Sequence, residues 1–150
     1  MLCLNVRISE RIRTWGRRSR TDVRADFSWL NGNFSINSRL NVLKCDEFGL
    51  LGYVEGHYKD SNMSCSLRQG LFFIDNWDDR IYVYERDAPG SFTVPAMYGR
   101  GLWTSMTFSI RFAGKFRLYL RGALTAYPFM DDENKKPGRA ELKLQLQYSL

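Results

Sequence analysis

Proline is scarce, with 4 residues in 150, and all of them fall between the patterned segments. No apolar run approaches the ~20 residues that a membrane-spanning helix needs. A single histidine, His57, is the one side chain whose unperturbed pKa lies near neutrality. Any Ser/His/Asp or Cys/His site would have to use it, and no partners for it are legible. The three cysteines, Cys3, Cys45 and Cys65, are odd in number and form no CxxC pair. Neither a disulfide framework nor a zinc site is signalled, and each cysteine reads as a small hydrophobe. There is no GxGxxG and no phosphate-binding loop; Gly99-Arg100-Gly101 is too short for one and reads as a sharp bend. The carboxylates Asp78, Asp79, Asp131, Asp132 and Glu133 lack calcium-loop spacing and read as solvated loop charge. The expectation is a protein that is not an enzyme and carries no metal or cofactor.

The composition is that of a folded chain: 44% hydrophobic, 25% charged and 15% aromatic. Net charge is +6, which permits attraction to anions without naming one. The densest basic run, Arg11, Arg13, Arg17, Arg18 and Arg20 around Trp15-Gly16, reads as a charged turn rather than a nucleic-acid arm.

What fills the chain is period 2. Ala140, Leu142, Leu144, Leu146, Tyr148 and Leu150 alternate with Glu141, Lys143, Gln145, Gln147 and Ser149. A helix would scatter these leucines over different faces, whereas a strand puts them on one. Val23, Ala25, Phe27 and Trp29 alternate in the same way with Asp22, Arg24, Asp26 and Ser28. Phe34, Ile36, Leu40 and Val42 alternate with Ser35, Asn37, Arg39 and Asn41. Leu102, Met106, Phe108, Ile110 and Phe112 stand against Trp103, Ser105, Thr107, Ser109 and Arg111. Phe116, Leu118, Leu120 and Leu124 stand against Arg117, Tyr119, Arg121 and Thr125, and Leu2, Leu4, Val6 and Ile8 against Asn5, Arg7 and Ser9. The stretches Leu50 to Tyr58, Met63 to Ile74 and Arg80 to Arg86 are less regular.

Asn31-Gly32-Asn33 and Ala113-Gly114 mark tight hairpins, and Asp60-Ser61-Asn62 a short turn. Asp87 to Gly101 and Pro128 to Gly138 are longer loops. The fold class expected is all-β: an antiparallel up-and-down meander of about 8–9 strands forming a β-barrel or part of one. Nine is an awkward count for a single-chain bacterial membrane barrel, and Arg80–Arg86 is the segment least suited to the wall.

Period 2 leaves open which face meets which solvent. A soluble, lipocalin-like barrel would turn its apolar face inward around an apolar ligand. A membrane barrel would turn it outward. Under that second reading, the lipid-facing residues are Phe27, Trp29, Ile36, Leu40, Phe108, Ile110, Leu118, Leu120, Leu142, Leu144 and Leu146. The lumen-facing ones are Arg24, Asp26, Arg39, Glu55, His57, Arg68, Arg111, Arg117, Arg121 and Lys143, a basic polar wall shared with Arg7, Asp22 and Glu141. Trp29, Phe34, Phe112, Phe116 and Tyr148 lie near strand ends, where interfacial girdles form.

The alternating last strand ending at Leu150, the short Ala113-Gly114 turn and the two long loops on the opposite side resemble the C-terminal part of Gram-negative outer-membrane β-barrel proteins. The stretch from Asp75-Asn76-Trp77-Asp78-Asp79 to Arg86, continuing through Val94-Pro95-Ala96-Met97-Tyr98-Gly99-Arg100-Gly101, is similar to large barrels associated with a helix-hairpin-helix DNA-binding region. The resemblance implies residence in the cell outer membrane. It implies outer-membrane lipid and the barrel-assembly machinery as partners, and a structural or pore-type transport role. The chain has no helix-hairpin-helix segment and opens without a secretory signal. The expectation is therefore a single barrel domain over 1–150, either whole or the C-terminal part of a larger barrel, with no nucleic-acid role in these residues.

Overall fold

A computed structural model describes residues 1–13, 18–45, 47–130 and 136–148. Eight strands form one antiparallel sheet in which every strand pairs with its neighbours in sequence: β1 (Leu2–Arg13), β2 (Arg18–Asn31), β3 (Phe34–Lys44), β4 (Phe48–Lys59), β5 (Met63–Ile74), β8 (Gly99–Phe112), β9 (Phe116–Ala126) and β10 (Arg139–Tyr148). The two-residue strands β6 (Ile81–Tyr82) and β7 (Ala96–Met97) form a separate small sheet. No α-helix occurs among the described residues; Trp77–Asp79 form one 3-10 turn. The sheet is an open meander, with β1 and β10 as its edges. The expected up-and-down topology is therefore present, and closure on itself is not.

Arg80–Arg86 is no strand of the large sheet, which has eight strands rather than nine. Gly99-Arg100-Gly101 belongs to β8 and is not a separate bend, although Gly99 carries a φ of +94° where the strand begins. In the basic run, residues 11–13 and 18–20 extend β1 and β2 in register, and 14–17 lie outside the described residues. Asp131, Asp132, Glu133 and Leu150 lie outside them as well.

Three short connections lie at one end of the sheet, and the short β3–β4 turn lies at the other. The β8–β9 link turns through Ala113 (φ +49°) and Gly114 (φ +69°), the left-handed pair a tight hairpin demands. The β2–β3 and β4–β5 turns share that end, as does the chain start, where Leu30 N–H donates to the Met1 carbonyl. The long connections, 75–98 and 127–138, leave from the other end.

The first of these folds back across the sheet as a hairpin. Val83 N–H donates to the Pro95 carbonyl and Glu85 N–H to Thr93, and the tip is closed by Ser91 donating to Ala88. Within it, Ile81, Val83 and Glu85 are buried while Tyr82 and Tyr84 are exposed. The buried side packs on Leu43, Leu51, Phe72, Ile74 and Trp103, which with Ile81, Val83 and Met97 form the core. Trp103 sits opposite Gly70 in register, and its ring fills the space a Cβ there would need, leaving only 1.9 Å.

Candidate functional site

Register sorts the residues singled out above onto two faces. Arg24, Asp26, Arg39, Glu55, His57, Arg68, Arg111, Arg117, Arg121 and Lys143 share one face, the one the hairpin covers. Phe27, Trp29, Ile36, Leu40, Phe108, Ile110, Leu118, Leu120, Leu142, Leu144 and Leu146 share the other.

The apolar face is bare. Ile8 is 72% exposed, Leu142 76% and Leu144 69%, and Leu4, Leu40, Val54 and Leu67 stand open between them. Aromatic pairs gather near its short-turn end: Phe34 with Tyr58 at 4.8 Å, Phe112 stacked on Phe116 at 5.5 Å, and Phe116 with Tyr148 at 5.0 Å. At the long-loop end, Phe73 meets Phe129 at 5.6 Å, and Phe48 is exposed.

The polar face is built around ion pairs that fasten the hairpin to the strands. Glu55 accepts from Arg68 Nε at 2.9 Å and from Arg86 Nε at 2.8 Å. Arg68 also donates to the Tyr84 carbonyl at 2.7 Å and lies over the Tyr53 ring. Both the Glu55 and Arg68 side chains are almost wholly buried. Glu85, buried, pairs with Arg121, and Arg121 also meets Glu141 at 3.2 Å. Asp87 accepts from Lys143 at 3.0 Å and from the Thr93 hydroxyl at 2.5 Å. Burial raises the Asp87 pKa, but the Thr93 and Lys143 donors outweigh it and hold the carboxyl below its usual range. Gln145 adds a bond to the Pro89 carbonyl at 3.1 Å. Farther along the face, Asp26 pairs with Arg39 at 2.5 Å and Arg24 at 3.5 Å.

Asp79 corrects the reading of solvated loop charge. It is fully buried, and its two oxygens accept the backbone N–H groups of Cys45 (2.8 Å) and Glu47 (2.9 Å), so it pins the hairpin base to the β3–β4 turn. At the same end, Asp75 makes a two-pronged pair with Arg100 (2.6 and 2.8 Å), and the Arg100 hydrogen bond holds its pKa low. Lys136 lies 3.4 Å from the centre of the Tyr98 ring, and burial lowers its pKa.

Toward the hairpin tip the polar face opens into a cavity of about 580 Å³, bordered by His57, Ser64, Thr107, Ser109, Tyr119, Arg121 and Lys143 on the strands and by Arg86, Asp87 and Ser91 on the hairpin. Ser64 and Ser109 on its wall pair at 2.9 Å, and Thr107 pairs with the neighbouring Ser66 at 2.6 Å, forming a hydroxyl ladder. His57 Nδ1 is buried there without a hydrogen-bond partner. Among the described residues no group of His, Cys, Asp or Glu side chains could hold a metal ion.

The hairpin residues Asp79, Glu85 and Asp87 carry much of this arrangement, and sequence reasoning passed over their role. The alternation of Ile81, Val83 and Glu85 was the available signal, too short to stand out between prolines and turn residues. No protein-family model, curated protein or solved structure matches the chain.

Proposed function

We propose that the chain is a wall sector of an outer-membrane β-barrel with a structural or pore-type role. Its apolar face lies against lipid, and its basic polar face lines the lumen. The observation that carries this reading is the pairing of opposites on the same strands: the bare side is the apolar one, while the charged side holds the buried ion pairs and the hairpin. A soluble protein rarely leaves an apolar patch beyond a few hundred Å² uncovered, and lipid is the solvent for which such a face needs no cover. Exposed aromatics near both ends of the apolar face match the girdles of a membrane barrel, and both long connections leave from one end, as a barrel's long loops do. The lipocalin-like alternative turns the apolar face inward and so places the hairpin and its ion pairs on the outside.

The hairpin also bears on barrel width. In an eight-stranded barrel, side chains alone fill the interior. Here a hairpin spanning Ile81 to Met97 occupies the polar side, so the native barrel is wider than eight strands and is completed by strands added at the β1 and β10 edges. Outer-membrane lipid and the barrel-assembly machinery are the partners this reading implies.

The test compares neighbours in β10. Leu144→Arg puts a charge on the lipid side and is expected to cost about 2–4 kcal/mol near the midplane, blocking folding into vesicles. Gln145→Arg, on the luminal side, is expected to fold normally. Folding yield is read from heat-modifiable gel mobility. Equal damage at both positions, or a wild-type chain that stays monodisperse in plain buffer, overturns the reading.

A further inference from the structure

The short-turn end of the polar face departs from the charge matching seen elsewhere on it. Arg24, Arg39, Arg68, Arg121 and Lys143 each have a carboxylate partner. Arg111 and Arg117 do not, nor does Lys115 in the turn between them; no ion pair among the described residues includes any of the three. Arg111 and Arg117 are direct register partners on adjacent strands. Like charges directly opposite one another destabilise a sheet, so this pair opposes the fold unless something negative sits between them. Arg117 Nε is buried without a hydrogen-bond partner, and among the described residues the only side-chain oxygen that its guanidinium reaches is Tyr119 Oη, at 3.4 Å. Arg111, Lys115, Arg117 and Gln147 line a cavity of about 330 Å³.

We propose that this cavity is a binding site for a soluble phosphate-class anion. Two guanidinium groups present forked donors that match phosphate oxygens, and the Lys115 ammonium adds a third charge. A water occupies ~30 Å³ of liquid, so the cavity holds the anion with part of its hydration shell. The register argues for a dissolved anion over a lipid headgroup. Arg111 and Arg117 point to the polar face, while Phe112 and Phe116, next to them in sequence, stack on the apolar one. The inference does not depend on the membrane reading, because it needs only the β8–β9 hairpin and β10 in place.

Inorganic phosphate is the probe, titrated into the full chain folded in detergent micelles, with chloride at matched ionic strength as the blank. Saturable heat of binding and a rise in melting temperature in phosphate over chloride are expected. Arg111→Gln with Arg117→Gln is expected to weaken binding at least tenfold and abolish the phosphate-dependent rise. Its melting temperature in chloride should stay the same or increase, because the repulsion is gone. Arg117→Gln alone gives a partial loss if the double variant folds poorly. Arg139→Gln, an exposed arginine paired with Glu141, leaves binding unchanged. The proposal is overturned by unsaturable heats in wild type, by Arg117→Gln and the double variant binding as wild type does, or by stabilisation that appears only with phosphatidylglycerol vesicles and never with free phosphate.

Discussion

The two ends of the polar face are made from the same strands and solve opposite problems. At the long-loop end, β4, β5 and β8 turn Leu51, Phe72, Ile74 and Trp103 toward the hairpin, and the charges among them are buried and matched. At the short-turn end, the same face carries hydroxyls and arginines that have no carboxylate. Where a cover exists, charge must be paired, because an uncompensated buried ion is far more destabilising than an exposed one. Beyond the hairpin tip, Arg111 and Lys115 are exposed, so water partly screens the repulsion and unmatched charge survives. The difference shows that the hairpin, more than strand composition, decides which positions tolerate an unpaired group.

The largest expected effect that tests this contrast is steric. Trp103→Ala empties the ring-shaped space over Gly70 and should destabilise the fold by about 3–5 kcal/mol. Ser109→Ala, on the same strand nearer the short turns, loses one hydroxyl pair with Ser64 and should change stability by about 1 kcal/mol or less, the typical size of one hydrogen bond. Urea midpoints of the two variants measure the gap, and near-equal values would show that the cover does not govern the face.

An effect of similar size or smaller separates paired from unpaired charge. Glu55→Ala leaves Arg68 buried without its carboxylate and is expected to lose about 3–5 kcal/mol if Arg68 stays in place, and less where water reaches it. Arg117→Ala, which leaves no partner stranded, is expected to be neutral or slightly stabilising. A comparable loss at both sites, read from the same denaturation series, would mean that the two ends share one electrostatic environment.

The mildest test uses acid. Asp87 has a folded-state pKa below its ordinary value of 3.8. Its contribution is therefore fully present above that value and is lost as pH falls through the lower folded one. Pepsin cleavage between residues 81 and 97 should rise as pH drops below 3.8, while strand cleavage lags. Asp87→Asn should flatten that dependence, and a variant that keeps the wild-type profile would remove Asp87 as the latch.

The sorting of residues onto two faces was legible because alternation in β2, β3, β8, β9 and β10 is nearly unbroken. Leu51, Phe72 and Ile74 blurred β4 and β5 for a physical reason: they are apolar on the face that is polar elsewhere, because the hairpin lands there. Trp103 lay in a polar row without explanation until Gly70 stood opposite it. Asp79 looked like any turn carboxylate, since its two backbone partners are more than thirty residues away in sequence. Closure of the sheet was beyond a pattern that records only which side a residue faces.

Neighbour-only pairing has a kinetic corollary. Most turns between strands take a few residues and β9 joins β10 across 127–138, but β5 and β8 are joined across the longest connection, residues 75–98. Loop-closure entropy grows with the logarithm of length, so this seam carries about 2 kcal/mol more than a three-residue turn. The chain is thus expected to zip as two units, β1–β5 and β8–β10, whose union waits on the segment between them. When Val83 bonds to Pro95, that segment's ends are already drawn together. The hairpin then acts as a splint that shortens the search, and slowing its formation should delay the β5–β8 ladder more than any other.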